Sequence, residues 1–70
     1  MGYREARELA RIRHELRERL MAQRIDGTEE ILARFRSVAE AEADACPELR
    51  SEYERWRLRL DLMSATSVAA

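Results

Sequence analysis

His14 and Glu18 stand four residues apart in a segment without glycine or proline, so a helix presents imidazole and carboxylate side by side on one face. Two such ligands could begin a metal site. A complete site needs three or four, and no other histidine, cysteine or carboxylate is spaced to supply them. The expectation is a surface histidine and no metal. Helical spacing also puts Glu42 in the apolar stripe of Ile31, Leu32, Phe35, Val38 and Ala39. A carboxylate there is either a functional acid or half of an ion pair, and buried carboxylates are usually paired. Cys46, the lone cysteine, precedes Pro47 with no histidine within sequence reach to act as its base. It reads as a small core residue, since free cysteine is among the most often buried residue types. No pair of titratable groups is placed for acid–base work, and no nucleotide-binding motif is present. Neither an enzyme, a cofactor nor a small-molecule substrate is expected.

Two further groups bear on binding. Arg4, Arg7 and Arg11 fall on one face of a helical first segment and form a short basic patch. They support an alternative reading as a small nucleic-acid-binding or antitoxin-like regulator. Glu8, Glu15 and Glu18 dilute the patch, whereas a nucleic-acid footprint is ordinarily a basic stripe free of acids. Nucleic-acid binding is therefore not the leading expectation. Leu49, Tyr53, Trp56, Leu60 and Met63 step by four, three, four and three, which is a heptad seam. Leu58 and Leu62 lie off this seam, one turn apart. In a chain this small, core and interface can be the same surface, and aromatic and arginine side chains dominate interface energetics. All seven are candidate interface residues.

Three elements must position these groups. In the first, from Tyr3 to Ile25, Leu9, Ile12, Leu16 and Leu20 recur every three or four residues, with Tyr3, Ala6, Ala10 and Met21 widening the stripe. Glu15 and Arg19 make a supportive i,i+4 pair. Gly27 can take the left-handed conformation that ends a helix. Thr28, or alternatively Asp26 with Glu29, can cap the next one. With the reversal centred on Gly27, facing positions in the hairpin sum to about 54 by helical geometry. Leu20 then meets Phe35, Leu16 meets Val38, Leu9 meets Ala45, and Arg13 pairs with Glu42. Pro47 lacks an N–H and clashes with the carbonyl of Ala43 in a continuing helix, so it either starts a third helix or kinks a long one, the break being favoured. Residues 1–63 form a single helical domain, and residues 64–70 are expected to be a flexible tail.

Composition sets the frame. A 70-residue chain makes one small domain, whose single core is marginal and often leans on a partner. About a fifth of the residues are Leu, Ile, Val or Phe, near the border of disorder, but the formal net charge is only −1. All 13 basic residues are arginines, a bias that points to a GC-rich bacterial or phage genome. Residues 1–25 carry a net +3, residues 26–48 a net −5 and residues 49–70 a net +1, so the first two elements complement each other. One cysteine allows no internal disulfide and suits a reducing compartment. No apolar run is long enough for a membrane span or signal peptide, and the Met1-Gly2 start has Ala6 where a myristoylation signal wants Ser or Thr. A cytoplasmic protein is expected. The arginine-rich first segment is similar to the first helix of the all-helical chorismate mutases; the rest of that pattern is absent, and no residue role is carried over. Ser67-Val68-Ala69-Ala70 resembles the Ala-Ala end of the bacterial tag that marks stalled products for degradation, a likeness that implies turnover rather than an activity.

The resulting expectation is an all-α fold: an antiparallel helical hairpin plus a third helix, as a small three-helix bundle or with a long helix kinked at Pro47. The expected function is a non-enzymatic protein–protein interaction module (an adaptor, regulatory subunit or phage or structural component). It associates with itself, as a dimer or higher, or docks on a larger host protein.

Overall fold

The structure is a computed structural model that describes residues 2–69, with side chains as far as Ala65. It contains three helices: α1 over Tyr3–Met21, α2 over Thr28–Ala41 and α3 over Glu48–Ala69. Together α1 and α2 form an antiparallel hairpin, and α3 packs back along it, antiparallel to α2. The chain breaks before Pro47 rather than kinking there. Glu42 caps α2, an α-turn joins the Cys46 N–H to the Glu42 carbonyl at 2.8 Å, and α3 begins one residue after the proline. No helix among the described residues is long and apolar enough to cross a membrane.

One core serves all three helices. Leu9, Ile12 and Leu16 come from α1, Ile31, Leu32, Phe35 and Ala39 from α2, and Leu49, Trp56 and Leu60 from α3. Leu20, Val38, Cys46, Tyr53 and Met63 pack against them, half-buried. Phe35 is fully buried, and the Tyr53 ring lies 6.3 Å from it, centroid to centroid, tilted by 33°. The apolar stripe of α1 is narrower than its sequence suggests: Tyr3, Ala6, Ala10 and Met21 are all exposed.

The hairpin reversal differs from the expected one. α1 stops at Met21, and its end is closed by two backbone bonds, from the Gln23 N–H to the Leu20 carbonyl and from the Arg24 N–H to the Arg19 carbonyl. That is a Schellman closure, with Gln23 in the left-handed position at φ 55°. Gly27 is also left-handed, at φ 73°, but stands at the start of α2 instead of the end of α1. Neither Thr28 nor Asp26 caps α2. The Thr28 hydroxyl donates backward to the Ile25 carbonyl at 2.8 Å, and the Asp26 carboxylate accepts from Arg24. The reversal is thus spread over residues 22–27, and the register shifts by about five residues. Glu15 meets Arg34, and Val38 lies beside Arg7 and Arg11 instead of Leu16. Glu15 consequently serves a cross-helix pair, while Arg19 donates to the Asp26 carbonyl at 2.9 Å.

α3 is longer than expected. Where the helical domain was to end at Met63, the helix continues to Ala69, because residues 64–69 hold neither Gly nor Pro to stop it. Arg57 reaches Glu29 at 3.1 Å, which sets residue 57 level with the second residue of α2. Residues 58–69 therefore run about 18 Å past that level, beside and beyond the hairpin turn.

Two left-handed residues in one six-residue loop have opposite consequences on substitution. Gln23→Gly removes a steric cost of roughly 1–2 kcal/mol that an L side chain incurs in that conformation, offset in part by glycine's greater unfolded-state entropy. The expected net gain of about 0.5–1 kcal/mol raises Tm by roughly 2–8 °C in a domain of this size. A Cβ at Gly27 would meet only ordinary contacts at 3.6 Å, so Gly27→Ala is expected to lower stability by about 1 kcal/mol through backbone conformation alone. Thermal melts of the two variants showing the same sign of shift would contradict this account of the turn.

Candidate functional site

The polar centre of the bundle is a clasp between α1 and α3. Arg13 donates from Nε and Nη2 to the two carboxylate oxygens of Glu52, both at 2.7 Å. The Trp56 indole N–H donates to the same Glu52 carboxylate at 3.2 Å, and the Arg59 guanidinium lies 5.4 Å above the Trp56 ring. Two nitrogens of a planar fork matched to two oxygens give the strong, directional form of ion pair. Arg13 holds the Glu52 carboxyl below the usual carboxylate range, with the indole N–H adding to the effect against the opposing influence of burial. The same bonds push the Arg13 guanidinium upward.

This arrangement corrects the expected pair of Arg13 with Glu42. Two assumptions fail together: the hairpin register is shifted, and α2 ends at Ala41, so Glu42 leaves the helical stripe and becomes the C-cap residue. The usable signal was the i,i+4 spacing of Glu52 and Trp56. A buried indole N–H wants an acceptor, and Glu52 is placed beside the inward seam to provide one.

The seam itself is consumed inside the chain. Leu49, Trp56 and Leu60 are buried, and Tyr53 and Met63 are half-buried against the same core. These five were candidates for an intermolecular contact; within a single chain they face the hairpin and are not available to a partner. Leu58 and Leu62 lie on the opposite face of α3, each 60% exposed. Met21, the last residue of α1, is 82% exposed and Ile25, in the hairpin turn, 44% exposed, and residues 58–69 of α3 run beside that turn. Four of the five large apolar side chains exposed among the described residues therefore gather at one end of the bundle.

Arg4, Arg7 and Arg11 meet at the other end. With Glu5, Glu8 and Val38 they line a groove of about 420 Å³ between α1 and α2. The Arg7 guanidinium sits 5.6 Å above the Tyr3 ring. The remaining titratable candidates do not converge. His14 and Glu18 approach to 3.8 Å on an exposed face, and half-buried Cys46 lies in the α2–α3 connection. Among the described residues, no three histidines, cysteines or carboxylates are grouped to hold a metal ion. The side chains of Ser67 to Ala70, which carry the tag-like ending, lie outside the described residues. Comparison with known protein families, characterised proteins and solved structures yields no match, so the functional reading rests on these surfaces.

The clasp predicts a pH dependence of defined sign. Because the folded-state pKa of Glu52 is lowered, its contribution is complete at neutral pH. It decays as pH falls below the ordinary carboxylate range and through the lowered value. Glu52→Gln should flatten that part of the acid limb. Glu52→Ala is expected to cost about 1–3 kcal/mol, less than the roughly 3–5 kcal/mol for breaking a fully buried pair, because the Arg13 side chain is 38% exposed and can rehydrate. Urea melts across the acid range check both; an unchanged acid limb in Glu52→Gln would remove Glu52 as its source.

Proposed function

We propose that this chain is a non-enzymatic protein–protein interaction module whose contact surface is the outward face of α3 around Leu58 and Leu62. The observation that carries the reading is the exposure of two leucines one turn apart, on a helix whose opposite face is already filled by its own chain. Nothing in the core requires them. Full burial of a leucine contributes roughly 1.5–3 kcal/mol, and each of these has more than half of that unrealised. Met21 and Ile25 are also exposed at this end of the bundle. The partner is a second copy of this chain or a larger host protein with an apolar groove, the usual acceptor for anchors at i and i+4 on a helix. Adaptor, regulatory-subunit and phage or structural roles all fit such a module. So does a site in the cytoplasm, where its single thiol is kept reduced.

The alternative, a nucleic-acid-binding regulator, draws on Arg4, Arg7 and Arg11, which do share one groove. Glu5 and Glu8 line the same groove, and the basic run ends after three residues. The exposed leucines have no role in that reading.

Association is tested by sedimentation over a concentration series together with capture from the native host. The expected result is a dimer or host complex that Leu58→Glu with Leu62→Glu weakens at least about tenfold, corresponding to about 1.4 kcal/mol, while helix content is unchanged. For self-association, Tm should also rise with concentration. A monomer at every concentration, whose captured partners are the same with and without the two substitutions, would defeat the reading.

A further inference from the structure

Eight of the 13 arginines have no carboxylate partner within ion-pair distance among the described residues. Three of these eight, Arg4, Arg7 and Arg11, line a single groove. At 100° per residue they fall within about 60° of arc on α1, and they rise by about 4.5 and 6 Å in turn. Val38, half-buried on α2, adds an apolar contact to the groove. Arg7 is held over the Tyr3 ring, which restricts one guanidinium before anything binds. Glu5 and Glu8 line the groove beside the three cations. From these features we infer that the α1–α2 groove is a docking site for an acidic amphipathic helix of a partner protein, which sets carboxylates at i, i+4 and i+7 against Arg11, Arg7 and Arg4 and one apolar side chain on Val38.

The pitch of the arginines is the pitch of a facing helix, so three carboxylates at helical spacing engage all three cations without distortion. The glutamates supply selectivity. A uniformly acidic chain brings like charges onto Glu5 and Glu8, whereas an amphipathic helix with patterned acids avoids them. The same two glutamates oppose a phosphate backbone, whose charges repeat without gaps. A groove between two helices is a recurrent seat for a third, with apolar anchors supplying affinity and rim charges supplying encounter rate and register. This surface is at the opposite end of the bundle from Leu58 and Leu62. A chain holding one partner at each end acts as a bridge, an extension of the interaction-module reading.

The test is peptide binding to the full chain, followed by fluorescence anisotropy. The probe is a synthetic helix with glutamates at i, i+4 and i+7 and one leucine placed for Val38. Controls are a scrambled peptide of the same composition, poly-glutamate of equal charge, and duplex DNA. The patterned helix should bind at least about tenfold more tightly than either control peptide, and less tightly as salt rises from about 50 to about 300 mM. Reversing the charges with Arg4→Glu, Arg7→Glu and Arg11→Glu should reduce binding at least about tenfold, and Val38→Asp should weaken it with helix content intact. Glu8→Gln should broaden acceptance, bringing poly-glutamate closer to the patterned helix. Equal binding of patterned and scrambled peptides, preference for DNA, or indifference to the triple reversal would each overturn the assignment. Because the α3 surface takes no part in this measurement, its failure is distinguishable from failure of the association through Leu58 and Leu62.

Discussion

α3 carries large apolar side chains on two opposite faces, and a single helix laid on a two-helix platform can bury only one of them. The face chosen bears Leu49, Tyr53, Trp56, Leu60 and Met63, the longer and more aromatic of the two. It releases more apolar area from water than Leu58 and Leu62 alone would, and the hydrophobic contribution scales with that area. The choice settles much else. It brings Trp56 beside α1, supplies the indole N–H that Glu52 accepts, and places Glu52 where Arg13 can reach it. It also turns Leu58 and Leu62 outward.

Charge then refines what apolar burial places. The α1 and α2 segments have opposite net charge, but the realised pairs are more local than a global attraction of basic and acidic helices. Glu15 with Arg34 joins α1 to α2, Arg57 with Glu29 joins α2 to α3, and Arg13 with Glu52 joins α1 to α3. Among the described residues, each pair of helices is thus joined by an ion pair. Exposed pairs of this kind contribute little to stability, and their larger effect is on register, since a slipped helix brings like charges together. The Arg13 clasp differs in being bidentate, half-buried and shared with an indole. It is the polar interaction most tied to the docking of α3.

The arginines left over from this pairing are unevenly placed. Arg4, Arg7 and Arg11 cluster near the start of α1, with Glu5 and Glu8 beside them. Four of the five large apolar side chains exposed among the described residues lie toward the other end, where α3 runs past the hairpin turn. The molecule is therefore polar in the literal sense, with a cationic groove at one end and an apolar surface at the other.

Much of the fold is legible in the sequence because helical periodicity is local. Leu9, Ile12 and Leu16, then Ile31, Leu32 and Phe35, then Leu49, Trp56 and Leu60 announce three amphipathic helices and their inward faces without reference to one another. Pro47 announces an interruption in the same way, through its own covalent chemistry, but whether it breaks or kinks the helix was decided only in the structure, where α2 ends at Ala41 and α3 starts at Glu48. The pairing between helices is not legible to that degree. The register depends on how many residues the turn consumes. That was decided by Gln23 accepting a left-handed conformation usually left to glycine, so that two backbone bonds closed α1 early and the loop took six residues. A shift of five positions was enough to move Val38 from Leu16 to the arginine groove and to separate Glu42 from Arg13. Which carboxylate Arg13 would take was open until α3 docked, because Glu52 lies 39 residues away and no local pattern spans that distance. The sequence by itself determined which residues could be buried. Only the tertiary structure decided which of two apolar faces on α3 would be, since that depends on area summed over three helices at once.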